Sequence, residues 1–297
     1  MSESLNPAPA PGTGRREGAG PISNLPSISG LFKASWRRYA ASLNVFAIIY
    51  VLCFAPLALV VFVMSSVYQA MPKPVNPLIM AWLAAGGIMA ALISVWGQAA
   101  FVYAATGRFQ EIRKLLKQAL EQTVSFAWLF LIYYLSVLAG SVFIIPGIIV
   151  WVWFSFALYV RAVEGDKGVG ALIKSRQYVR GRWWAVLYRL LPVWALPMAV
   201  NIVPGIGPLF SMLFLPFAIT YHCVLFEQLR AAHGPVETPA PAQKKRWALA
   251  GGSMIIMALL LAGYTLSTMN INQLKQLATD PAGAIQNAIA GDKGNPK

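Results

Sequence analysis

The chain has 297 residues, 58% of them hydrophobic and 11% charged, with a formal net charge of +14. Apolar side chains in that proportion, arranged in long runs, put a soluble core out of reach, because only lipid covers such surface. The two cysteines, Cys53 and Cys223, sit in separate apolar runs and imply no disulfide framework.

Residues 1–27 are rich in Pro, Gly and Ala without an apolar stretch, which predicts a disordered cytoplasmic tail and not a cleavable signal peptide. Apolar stretches follow at Leu43 to Met64, Leu78 to Ala105, Val124 to Ile145, Ile148 to Val163, Trp183 to Val203 and Leu209 to Phe226. A seventh, Trp247 to Leu266, comes after a polar linker. Each approaches the roughly 17 to 25 residues that a helix needs to cross a bilayer core. The expected organisation is a six-helix membrane domain over 28–232, a cytoplasmic linker over 233–246, a seventh transmembrane helix over 247–269 and an extracytoplasmic tail over 270–297. The fold class is all-α, a polytopic transmembrane bundle.

Charge orients the spans. Of the 24 Lys and Arg residues, only Lys73, Lys275, Lys293 and Lys297 fall in the gaps assigned to one side, and Arg189 lies inside a span. All the others occupy the tail before the first span or the gaps after the second, fourth and sixth, with Arg161 in the last turn of the fourth span. By the positive-inside rule the amino terminus is cytoplasmic and the carboxyl terminus outside. The basic face then meets anionic lipid headgroups on the cytoplasmic side in preference to nucleic acid. The expected localisation is a bacterial inner membrane.

The third and fourth stretches are broken only by Ile145-Pro146-Gly147, and the fifth and sixth by Val203-Pro204-Gly205-Ile206-Gly207-Pro208. Forty apolar residues would make a helix about twice the bilayer thickness, so each pair folds back. Pro146-Gly147 and Pro204-Gly205 read as hairpin turns, since proline cannot continue the hydrogen-bond ladder and glycine tolerates a reversal. Broken helices lining a transport site are the alternative. The length of the halves favours turns.

A basic, partly amphipathic segment precedes each hairpin. Leu31 to Leu43 carries Phe32, Trp36 and Tyr39 at helical spacing, with Ser29 as its cap. Phe109 to Leu120 is the cleanest interfacial helix, and Val169 to Arg180 is interrupted by Arg176. Three units of interfacial helix plus hairpin result, over 28–105, 107–164 and 167–232. Trp36, Trp183, Trp184 and Trp247 mark the entries as headgroup-level anchors.

Val163-Glu164-Gly165-Asp166-Lys167-Gly168, followed by Ala171-Leu172, Ser175, Gly181 and Trp183-Trp184, resembles the bacterial glycerophosphoryl diester phosphodiesterase membrane-domain family and related uncharacterised multi-pass proteins. The likeness covers about Val142 to Trp184, and Gly30 to Leu229 more loosely. It implies an all-helical membrane fold and does not imply phosphodiesterase activity. In the enzymes that carry this domain the chemistry belongs to a separate soluble domain, to which nothing here corresponds.

Chemistry-bearing residues are sparse. None of the ten Asp and Glu residues falls mid-membrane, which argues against intramembrane proteolysis and a carboxylate proton relay. His222 and His233 are wrongly spaced for a zinc pair, and there is no phosphate-binding loop or nucleophile elbow. No metal, cofactor or catalytic residue is expected. One cluster stands out: counted from the second turn, Arg189 is level with about Cys223, within reach of His222 and Glu227. Arg189, His222 and Glu227 are thus the candidate contacts for an anionic headgroup or ligand, against the reading that Arg189 snorkels to the interface. The expectation is a non-enzymatic protein with a structural or lipid-associated role. The alternative is a transporter or permease for a small amphipathic or anionic substrate.

Overall fold

The computed structural model describes residues 25–70, 77–109, 111–141, 144–203, 205–234 and 236–268. Ten helices and no strand occur among them: α1 Ile28–Ala41, α2 Leu43–Gln69, α3 Pro77–Thr106, α4 Ile112–Ser141, α5 Ile144–Phe154, α6 Ala157–Glu164, α7 Val169–Val179, α8 Trp183–Val200, α9 Ile206–His233 and α10 Pro241–Thr268. Within the described residues, six helical stretches are long and apolar enough to cross a membrane: Leu43–Gln69, Leu78–Thr106, Ile112–Val137, Ile145–Glu164, Trp183–Val200 and Leu209–His233. The chain is a multi-pass membrane protein.

Consecutive spans pack as hairpins, α2 on α3, α4 on α5 and α8 on α9, and α3 also packs on α4 and α9. The α2–α3 seam is close because of small residues: a Cβ on Gly97 would stand 3.1 Å from Cys53 Cβ, and one on Gly86 would stand 2.7 Å from Met64 Sδ. Among the described residues the α8–α9 reversal includes 201–203 and Gly205, the last at φ +83 as expected for a turn glycine. Gly207 closes it, since a Cβ there would meet Asn201 Cα at 2.5 Å. Pro204, Lys73 and residues 1–24 and 269–297, with the tails predicted there, lie outside the described residues.

Several expectations are corrected. Pro146 and Gly147 are not the turn; they lie in the first turn of α5, where proline's missing N–H costs no helical bond. Ser27, not Ser29, caps α1, its Oγ accepting from the Gly30 N–H at 3.2 Å. The interfacial helix expected over Phe109 to Leu120 begins at Ile112 and continues straight into α4, with Leu115 and Ala119 buried in protein and Leu120 exposed. α7 likewise is no headgroup helix: Leu172, Ile173, Lys174, Ser175 and Tyr178 are all buried against α5, α6, α9 and α10. The linker is shorter than predicted because α10 begins at Pro241.

The basic gaps gather at one end. Arg38 of α1 pairs with Glu227 of α9 at 2.7 Å, Arg108 donates to the Val163 carbonyl at 3.0 Å and Arg182 to the Ala232 carbonyl at 3.3 Å. Packing is tightest in this half. Ala99 to Ala105, Phe126, Val160, Tyr178, Phe226 and Leu229 are buried there, and rings of α1, α2, α3 and α9 interlock, with Phe32 5.2 Å from Tyr221 and Phe46 5.9 Å from Phe101. The far halves of α2, α3 and α8 instead expose Leu59, Phe62, Trp82, Ile88 and Met198. Those faces are what lipid covers.

Candidate functional site

A bundle tight at one end and splayed at the other leaves space between its helices. A cavity of about 490 Å³ lies among α3, α4, α5/α6, α8 and α9. Its walls are aromatic and aliphatic: Phe130, Tyr133, Trp151, Trp194, Phe214 and Leu215 among others, with Trp151 and Trp194 4.1 Å apart. Among the described residues no Asp, Glu, Lys or Arg lines it. The polar residues on its wall are Gln98, Tyr133, Tyr134, Ser155, Tyr159, Ser211 and His222.

Three of these polar groups already use a proton. The Tyr159 hydroxyl donates to the Ile219 carbonyl at 2.9 Å and Ser155 Oγ to the Trp151 carbonyl at 2.8 Å. His222 Nδ1 lies 2.8 Å from the Ala218 carbonyl, which can only accept, so Nδ1 carries the hydrogen and, in the neutral ring, Nε2 keeps a lone pair. The Tyr159 and His222 rings lie almost parallel, 5° apart, with centroids 6.4 Å apart.

Beside the cavity the fourth span is discontinuous. α5 ends at Phe154 and α6 begins at Ala157, which strands backbone groups inside the bundle. Ser175 of α7 mends the gap: its Oγ donates to the Trp153 carbonyl at 2.7 Å and accepts from the Phe156 N–H at 3.2 Å. Arg176, next to it, lies between two indoles, 4.5 Å from the Trp153 ring and 4.7 Å from the Trp247 ring, and thereby fastens α10 to α7.

α7 is held by a compact charge cluster. Gly165, at φ +80, lets the chain reverse out of α6, which brings Glu164 and Asp166 over α7. Lys174 Nζ is 2.9 Å from Glu164 Oε2 and 2.5 Å from Asp166 Oδ2, and the Lys174 side chain is only 7% exposed. Tyr178 donates to Glu164 Oε1 at 2.6 Å, and Arg230 Nε stands 3.4 Å from the same oxygen. Two cations balance two carboxylates. Burial lowers the Lys174 pKa, but the bonds and charges of Asp166 and Glu164 outweigh it and leave the group raised above its ordinary value. Burial and the Glu164 carboxylate push the Tyr178 hydroxyl up to about 12. Arg161 braces the same turn, donating to the Gly165 carbonyl at 2.7 Å, to Ser125 Oγ at 3.0 Å and to Gln122 Oε1.

The predicted trio does not converge. Arg189 donates to the backbone carbonyls of Pro26 at 3.0 Å, Leu25 at 3.1 Å and Ala185 at 2.8 Å, so it grips the segment before α1. Glu227 turns to Arg38 and accepts weakly from Cys223 Sγ at 3.8 Å, and His222 faces the cavity. Tyr221, on the neighbouring α9, donates to the Arg189 carbonyl at 2.7 Å. Successive residues of a helix, however, point about 100° apart. Of the tryptophan anchors, Trp36 and Trp184 are exposed, Trp183 stacks edge-on against Trp184 and Trp247 packs on Arg176.

No family model, curated protein or solved structure matches the chain. The site therefore rests on its own geometry. Lys174, Tyr178 and Ser175 were missed as partners, although Lys174 and Tyr178 lie four apart on one face of a helix that follows an acidic-glycine turn.

Proposed function

We propose that this is a non-enzymatic bacterial inner-membrane protein with a lipid-associated role, and that an apolar chain of lipid character occupies the cavity among α4, α5, α8 and α9. The observation that carries the reading is a cavity of about 490 Å³ with no charged side chain on its wall among the described residues, in a chain that exposes many large apolar side chains. That volume falls within the roughly 300 to 1,000 Å³ of small-molecule pockets, which are characteristically apolar with a few placed polar groups.

The proposal includes orientation and architecture. The basic end lies in the cytoplasm against anionic headgroups, α10 crosses as a seventh span and the carboxyl terminus is outside. Three parallel units, each ending in a hairpin, make up the six-span domain. The resemblance of Val142 to Trp184 to the glycerophosphoryl diester phosphodiesterase membrane-domain family agrees with a lipid-facing helical role, and belongs to this proposal.

Native mass spectrometry of protein extracted gently from its own membrane tests the occupant. An apolar adduct should accompany the unaltered protein and be lost from Ala218→Phe, which fills the cavity from α9. An adduct-free parent, or one whose adduct survives the substitution, contradicts the reading.

A transporter or permease for a small amphipathic or anionic substrate is the second reading. The break at Ser155 and Phe156 favours it, since interrupted helices beside a cavity are how carriers place backbone groups near a substrate. Flux into proteoliposomes separates the two.

A further inference from the structure

The polar wall of the cavity selects a chemical class. Tyr159 and Ser155 spend their hydroxyl protons on backbone carbonyls, and His222 spends its Nδ1 proton on Ala218. What these three groups turn to a guest is therefore lone pairs, with His222 Nε2 the strongest base among them. Among the described residues no donor reaches that nitrogen.

Position matters as much as chemistry. His222 lies about 16 Å along α9 from the basic end at His233, and about 16 Å from Ser211, which lines the cavity near the opposite end. The acceptors thus sit at the inner floor of an elongated apolar space. Below them the bundle is plugged: Phe226 stacks on Phe156, with centroids 6.2 Å apart, and meets Tyr178 at 5.5 Å. Gln98, also on the wall, has an amide able to donate and accept.

We infer that the cavity recognises an uncharged amphiphile carrying a hydroxyl, an alcohol with an apolar chain, whose O–H donates to His222 Nε2 while the chain runs between Trp151, Trp194 and Phe214 toward Ser211. This rests on the reading of the cavity as a lipid-type site. A carboxylate is disfavoured at this floor, since it would meet acceptors and no cation. An ether of the same shape fits the walls but brings no proton. One net hydrogen bond of about 1 kcal/mol corresponds to a roughly fivefold difference in affinity between alcohol and ether.

The cavity tryptophans supply the readout, because a bromine atom close to an indole quenches its fluorescence. The full chain in nanodiscs is titrated with a terminally brominated dodecanol, its methyl ether and the corresponding brominated carboxylic acid. Saturable quenching by the alcohol at several-fold lower concentration than the ether, with the gap closed in His222→Phe, is the expected result. The comparison of alcohol with ether on unaltered protein needs no substitution, so it stands even where His222→Phe fails to fold. Equal saturable quenching by alcohol and ether overturns the hydroxyl inference and leaves the apolar site intact. Tightest binding by the carboxylic acid overturns it too and points to a protonated His222. Absence of any saturable component, with Ala218→Phe indistinguishable from the parent, overturns the underlying cavity reading itself.

Discussion

Lys174 is the residue on which the basic end turns, because it closes two carboxylates from one turn onto a helix that has no span of its own. Removing one member of a buried ion pair leaves uncompensated charge and costs about 3–5 kcal/mol. Lys174→Met is therefore expected to lower thermal stability by that order, Glu164 and Asp166 being stranded. The folded-state pKa of Lys174 is raised, so its contribution is complete below the unfolded value of about 10.5 and fades as pH rises through the folded one. The Tm gap between parent and variant should be constant across neutral pH and narrow only under strongly alkaline conditions; a gap that closes near neutrality contradicts the assignment. Arg189 supports a second test. Leu25 is 7% exposed and held by that guanidinium, so a cysteine at position 25 should react slowly with maleimide in the parent and about tenfold faster in Arg189→Leu. Equal rates would show that Arg189 does not hold the segment. Counting residues along the spans gives no azimuth, and azimuth decides which of Glu227, His222 or Tyr221 meets Arg189.

At the level of elements, the spans were legible because length and apolar continuity alone decide them, and α2, α3, α8 and α9 lie where the runs lie. The segments between spans were not. An amphipathic pattern reports that one face avoids water without saying whether lipid or protein covers it; in α7 it is protein, and at the start of α4 protein covers Leu115 and Ala119 but leaves Leu120 exposed. Nor does a Pro-Gly pair distinguish a turn from the first turn of a helix, since the missing N–H is harmless in both. The same ambiguity hid Arg176, which seemed to interrupt a stripe and instead lies between Trp153 and Trp247. Cation–π contacts of this kind contribute about 0.5–2 kcal/mol each. Arg176→Gln should loosen α10 and speed proteolysis of residues 236–240 by roughly tenfold, as a loss of about 1.4 kcal/mol dictates. An unchanged cleavage rate would mean that α10 is held by other contacts.

Across the whole molecule, packing follows charge. The end rich in Lys and Arg is where ion pairs, capped carbonyls and aromatic clusters close the bundle, and the opposite end, made of lipid-facing apolar helices, spreads around a cavity. The cavity is not local in sequence, and the charge cluster is only partly so: Glu164 meets Lys174 directly after the turn at Gly165, but Arg230 only after the chain has passed through α8 and α9. The inner and outer ends assigned to the cavity presuppose a bundle threaded with its basic end in the cytoplasm. Paired reporter fusions, one after Lys73 and one after Lys275, test this directly with a reporter active only outside the cytoplasm. Activity at both positions is the predicted result. Silence at Lys73 together with a cytoplasmic reporter signal there would contradict the orientation, and the same pattern at Lys275 alone would remove α10 from the spans.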